Sequence, residues 1–390
     1  MSAYVVWIAA VLAFAWLWWA FRKRSTPVRA ANHPANPAGF ATRQSSADAL
    51  LRARPGSRDL SHLAAAAVTW QAAQASTPPA ELASLNWLRV SDLDAGRREQ
   101  LLQTIRGIPR PPHSLQQLLS PEFVAKADST QLADLVMAEP LIAAKVLGAV
   151  NSSRYGLDKP IAHLGQAVTF LGMNTVRSIC LQYMLAEAFK PGLASAQQAF
   201  DAIWRWCGTA SELAVKLGKG MNLPNQGALG TQVVLGFVGQ LAVASLLPPQ
   251  ALGPWMAADR IGRTRMEQDM LGLGAGELGQ LLLGTWSLPP DLVEDVGDSA
   301  RVLVTPASQI DTTRAPWLGL AALCHHLGEH PQDGHTGPGS DLPARLAGQA
   351  QGFHLAAYLG HPALARLAAV LASSEVQACL VPAAQDEATA

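Results

Sequence analysis

The sequence predicts an all-α protein, a two-lobed helical body behind a single N-terminal transmembrane helix. Three observations carry that expectation. Apolar residues recur at helical spacing from Leu115 to Phe189, with no strand-like alternation. A second apolar block, Val233 to Leu247, is closed by Pro248-Pro249. The segment Ala3 to Phe21, AYVVWIAAVLAFAWLWWAF, runs for nineteen residues without a charge.

At about 1.5 Å per residue that segment spans roughly 28 Å, the thickness of one hydrocarbon core. A cleaved signal peptide needs basic residues before its apolar run and small residues after it. Here the order is reversed, because Arg22-Lys23-Arg24 follow the run directly. Trp16, Trp18 and Trp19 gather at the same end, as an interfacial aromatic belt does. Residues 1–24 therefore read as an uncleaved anchor in the inner membrane, with the N-terminus outside and the body cytoplasmic. The basic cluster is suited to anionic lipid head groups.

Residues 25–90 read as a linker followed by a helical extension. Ser25 to Gln44 is rich in Pro, Ala and Asn and has no periodicity. Alanine-rich helices are expected at 47–54 and 59–75, broken by Pro55-Gly56 and Thr77-Pro78-Pro79. Ser91-Asp92 is the expected cap of a helix running through Leu102 and Ile105. The main body is expected over 91–310, with lobes at about 105–190 and 197–310. Ser129 is the expected cap of a helix carrying Leu132, Leu135 and Val136. Residues 311–390 read as a C-terminal helical extension, with helices at 316–329, 342–359 and 362–373.

Composition narrows the function classes. Met1 to Ala47 holds five basic residues and no acid, which leaves 24 basic against 29 acidic residues beyond it. A mildly acidic body argues against a nucleic-acid footprint. The four cysteines, 180, 207, 324 and 379, form no C-x-x-C pair and sit in apolar helical contexts, as buried thiols do. No phosphate-cradling glycine loop, nucleophile elbow or Walker lysine is present.

The best-punctuated stretch is Glu139 to Phe189. Pro140 suits a first helical turn. Ile142, Val146 and Val150 share a face, and Asn151-Ser152 stop the helix. Tyr155-Gly156 supplies a ring beside a φ-permissive residue, and Asp158-Lys159-Pro160 stays extended. Leu164, Val168 and Leu171 restart the stripe, Gly172 closes it, and Asn174 is the expected cap of the next helix. This stretch resembles the HDOD family of bacterial signalling domains. The residues that carry the resemblance are Leu147, Asn151-Ser152, Tyr155-Gly156, Pro160-Ile161, Gln166-Ala167, Leu171-Gly172, Asn174 and Val176-Arg177-Ser178. Val150 stands where the family has Ala.

The resemblance implies a fold shared with metal-dependent HD phosphohydrolases. Those enzymes need a His, then an adjacent His-Asp pair, then later His or Asp ligands, because imidazole and carboxylate together hold an ion that acidifies a bound water. At the matching positions this chain has Trp206, then Gly236 and Phe237 with Gln240 at the family's Lys, then Ala275. No His lies between His163 and His325. The expectation is that no catalytic residue, metal or cofactor operates there.

Other candidates have two readings each. Asn151, Ser152, Tyr155 and Gly156 form either a partner contact or a helix stop. Asn174 and Arg177 hold either a phosphate at a helix N-terminus or a structural pair with a carbonyl or acid. His325, His326, His330 and His335 cluster near a helix C-terminus. They read as exposed residues complementing the helix dipole, or as metal ligands through the i, i+4 pair His326 and His330. The function expected is a non-catalytic, membrane-tethered signalling or scaffold protein that works through other signalling proteins. The alternatives are a residual phosphohydrolase and a nucleotide sensor using the vacated pocket, with a cyclic nucleotide as the ligand the resemblance suggests.

Overall fold

The computed structural model describes residues 77–381, except 110, 112, 121–122, 124–125, 153–154, 158, 190–193, 224–225 and 336–340. The expected anchor, linker and first alanine-rich helices lie outside the described residues. Among the described residues every regular element is helical. One apolar stretch, Gln226–Leu246, is long and apolar enough to cross a membrane, but 78% of its apolar window is buried inside the body. It is the core helix pair of the second lobe.

The chain enters through α1 (Ala80–Ala83) and a 3-10 turn (Val90–Asp92), then α2 (Ala95–Arg106) and α3 (His113–Leu118). The cap of α2 is Asp94, which accepts from Arg97 N, and Ser91-Asp92 lie in the preceding 3-10 turn. A similar one-residue correction applies to α4 (Ser129–Met137). Asp128 caps it in a reciprocal box with Gln131, so Ser129 is already helical. An acid with a free carboxylate outcompetes the neighbouring hydroxyl for the orphan amides.

In α5 (Pro140–Val150) the expected face is the buried one: Ile142, Val146 and Val150. Asn151 ends it with φ −89°, outside the left-handed region. Its side chain instead clamps the loop, donating from Nδ2 to Leu147 O (2.9 Å) and Ile161 O (2.8 Å) and accepting from Ile161 N at 2.7 Å. After α6 (Leu164–Leu171), Gly172 turns the chain at φ +81°. That turn starts α7 (Met173–Ala188) at once, so Asn174 is inside the first turn and does not cap it.

The second lobe is built on α8 (Ala194–Gly220), α9 (Gln226–Gly236) and α10 (Val238–Leu246), followed by α11 (Pro249–Ala257), α12 (Arg260–Leu271), α13 (Ala275–Thr285) and α14 (Pro290–Arg301). The apolar block expected as one helix is two, broken at Phe237. Beyond these come α15 (Ala315–Glu329), α16 (Leu342–Ala347), α17 (Phe353–Leu359), α18 (Leu367–Leu371) and α19 (Ser374–Leu380). The last of these was not expected from the sequence. One continuous hydrophobic core runs from Leu93 to Leu380 through both lobes and the C-terminal helices. Within it, α15 is buried from Leu318 to Gly328 without interruption. A helix buried all round is a core element, so the segment expected as an extension is a structural centre of the body.

Candidate functional site

The site sits at the break between α9 and α10. Phe237 N reaches back to Val234 O in a tightened turn, which leaves the Val233 carbonyl for a side chain from α15. That side chain is His325, whose Nε2 lies 2.8 Å from Val233 O. A carbonyl only accepts, so Nε2 carries the proton and Nδ1 is the remaining acceptor. The absence of a side chain at Gly236 is what admits the ring, since a Cβ there would overlap His325 Cε1 and Nε2. Phe237 packs edge-on to the same ring at 4.9 Å. Burial holds His325 down at about 4, so it is neutral at pH 7.

One turn further along α15, Glu329 enters the same pocket. It receives Arg263 Nη2 at 2.5 Å and Gln240 Nε2 at 2.7 Å. Both partners of the ion pair are nearly sealed, at 6% and 5% side-chain exposure. Burial opposes the charge on Glu329, but the nearby Arg263 and Arg260 guanidinium groups and the two hydrogen bonds outweigh it and hold the carboxyl below its ordinary range. Arg263 also donates to Ala258 O and lies over the rings of Trp206 (5.3 Å) and Trp255 (5.9 Å). Glu267 accepts from Trp255 Nε1 at 2.8 Å and Ala275 N at 2.6 Å, while burial pushes its pKa up.

All four sequence-matched positions are therefore gathered here. Gly236 and Ala275 line the cavity, Trp206 backs Arg263 and Phe237 backs the neutral His325 ring. Trp87 closes another side and donates to Glu277 at 2.9 Å. The cavity left over is about 40 Å³.

The expectation that no donor atoms are near this pocket is corrected. An imidazole and two carboxylates enter it, and none of the three comes from an HD-type position. Glu329 was missed, and His325 was read only as part of a cluster at a helix end, because both reach this pocket from far along the chain. The signal that could have found them is a pair of titratable residues at i, i+4 in an otherwise apolar helix. An HD-type ion does not fit these side chains. His325 donates its Nε2 proton to the Val233 carbonyl, Glu329 is paired with Arg263, and Glu267 is held by two donors. Among the described residues, no group of three or more His, Cys, Asp or Glu is placed to hold a metal ion.

The other candidates separate. Asn151 is the loop clamp already described, Ser152 Oγ donates to Ala149 O, and Tyr155 packs edge-on to Phe170 at 5.9 Å. Gly156 takes φ +53°, the left-handed turn expected of it. These are the bonds of a helix stop. The histidines of α15 are not exposed, as expected for a solvated helix end, but buried. His326 Nε2 is 2.8 Å from Asp333 Oδ2, and its ring is 5.3 Å from that of His330. The four cysteines are buried and free. Asn174 and Arg177 do come together, against Gly227 of α9.

Comparison with known families matches the HDOD domain over residues 108–301, just under half of the chain. This chain carries an HDOD domain. His325 and Glu329 lie beyond the matched segment, so the HDOD pocket is completed by residues outside the domain. No curated protein matches the chain. Among solved structures, an HDOD domain protein of unknown function from Geobacter sulfurreducens is similar at 16% identity, over 72% of this chain and 97% of that one, with a TM-score of 0.49. A protein from Shewanella amazonensis, provisionally named a phosphohydrolase, is similar at 23% identity, over 72% and 96%, with a TM-score of 0.48. A protein from Marinobacter aquaeolei, provisionally named a signal transduction protein, is similar at 20% identity, over 75% and 69%, with a TM-score of 0.46.

Proposed function

We propose that this HDOD protein is a non-catalytic signalling module that works by contact with other proteins while tethered to a membrane. The observation that carries the reading is the seat of His325 in the space above Gly236. The pocket that would hold an ion in a hydrolase is filled by the chain's own α15, with a neutral imidazole and a satisfied Arg263–Glu329 pair. The tether is supported by the uncharged run from Ala3 to Phe21 and the basic cluster after it. A nucleotide is disfavoured as a ligand of this pocket. A water needs about 10–15 Å³ of such space, so a cavity of about 40 Å³ has room for a few waters only.

Two measurements test the proposal on the full chain in detergent. Metal analysis and turnover of cyclic dinucleotides or bis-p-nitrophenyl phosphate, with added Mn²⁺ or Mg²⁺, are expected to give no stoichiometric metal and no turnover. Affinity capture from solubilised membranes is expected to return the same protein partner reproducibly. Stoichiometric metal with turnover abolished by Glu329→Gln or Glu267→Gln would overturn the reading.

A further inference from the structure

A second polar corner lies where α7 and α9 begin. Arg177, in the second turn of α7, is 3% exposed. Its Nε and Nη2 are buried with no hydrogen-bond partner. The expected structural pair with a carbonyl or an acid is therefore not made at that edge of the guanidinium. The titratable group whose charge acts on Arg177 is Cys180. Burial pushes that thiol up to about 12, so it is neutral at pH 7 and supplies no counter-charge. The Phe123 ring lies 6.0 Å from the guanidinium carbon. The Arg263 guanidinium ends on a carboxylate and a carbonyl, whereas Nε and Nη2 of Arg177 meet no hydrogen-bond partner among the described residues.

The surroundings add positive potential. Side chains in a helix lean toward its N-terminus, so Arg177 leans back over the first turn of α7. The first turn of α9 meets it there. A Cβ at Gly227 would stand 2.6 Å from Arg177 Nη1 and 2.8 Å from Asn174 Oδ1, so only glycine lets the three groups close up. Two helix N-termini, each with the positive end of its dipole, thus converge on a buried cation. A buried charge without a partner is costly, and helix N-termini with a free guanidinium fork are the chemistry that takes a tetrahedral or planar oxyanion.

We propose that this corner binds a small oxyanion of the phosphate class, held bidentately by Nε and Nη2 of Arg177 in the field of the α7 and α9 N-termini. The half-buried side chains at its edge are Asn174 and Phe123. Phe123 stands between α3 and α4, with its ring over the guanidinium. The site is separate from the His325 pocket, so it stands or falls independently of the proposed function.

The test uses the full chain in detergent, in chloride buffers of matched ionic strength, with inorganic phosphate as the probe. Equilibrium dialysis with radiolabelled phosphate reads binding directly, and thermal unfolding reads its linkage to folding. Wild type is expected to bind one phosphate saturably and to gain several degrees in Tm. Arg177→Met is expected to lose both effects. Arg177→Lys keeps the charge without the fork and is expected to bind at least tenfold more weakly. Should Arg177→Met fail to fold, wild type and Arg177→Lys still decide the matter by dialysis. His325→Ala serves as a control that leaves phosphate binding unchanged. No saturable binding by wild type at tens of millimolar phosphate, or equal binding by Arg177→Lys, overturns the proposal.

Discussion

The His325 pocket and the Arg177 corner are both places where this protein buries charge, and they solve the problem differently. In the pocket the charges of Arg263, Glu329 and Glu267 are matched from inside the chain. Arg263 has Glu329, Glu267 has Trp255 and the Ala275 amide, and His325 is neutral against a carbonyl. At the corner, Nε and Nη2 of the guanidinium have no hydrogen-bond partner among the described residues. The pocket's Arg263–Glu329 charges are thus paired within the chain, whereas the proposed anion would supply the pairing that the corner lacks. What the difference teaches is that side chains from beyond a matched domain can fill its pocket. Here it is the site matched to the family's enzymes that is full, and a motif outside it that is unsatisfied.

Breaking the pocket's pairing has the largest expected effect. Glu329→Ala leaves Arg263 buried without its acid, and breaking such a pair costs about 3–5 kcal/mol. The double change Arg263→Met with Glu329→Met removes both charges and is expected to recover most of that loss in urea unfolding. If the single and double variants are equally unstable, the pair is not what balances the pocket.

The next effect is the pH dependence of the same region. His325 has a folded pKa near 4 against an ordinary value near 6.5. The unfolded chain therefore binds more protons between those values, and stability falls as pH drops from about 6.5 to about 4. At about 1.4 kcal/mol per unit, the contribution is about 3 kcal/mol. Depressed pKa values at His326, His354 and His361 act in the same direction, while the raised Glu267 acts against them. His325→Phe is expected to flatten the slope in this window, measured by denaturant unfolding at stepped pH. An unchanged slope would place the titration elsewhere.

A smaller effect sharpens the contrast from the corner side. Without phosphate, Arg177→Met removes an unpaired buried charge and is expected to leave stability unchanged or raised by about 1 kcal/mol, opposite in sign to Glu329→Ala. An effect of similar size is expected for Asn151→Ala, a cost of about 1 kcal/mol through the lost clamp to Ile161. It is expected to leave phosphate binding intact, which separates the helix stop from the Arg177 corner.

Much of the first lobe was legible in the sequence because its signals are local. The buried face of α5, the turn at Gly156 and the closure at Gly172 each follow from the propensities of a few adjacent residues. So does the helical character of the whole body. The positions that differ in the pocket, Trp206, Gly236, Phe237 and Ala275, were legible for the same reason: a motif is a local pattern. The capping residues slipped by one to three positions because neighbouring polar residues compete for the same orphan amides, and only the path of the chain picks the winner.

What tertiary structure alone decided is what stands in the space those substitutions left. His325 is nearly ninety residues from Gly236, and no periodicity connects them. Their meeting depends on α15 being drawn into the core and on the α9–α10 break exposing one carbonyl at that spot. The same holds for Arg177, whose lack of a partner follows from which side chains of other helices arrive beside it. Propensity acts along the chain, but burial and the pairing of charge act through space, and the chemistry of both corners belongs to the second kind.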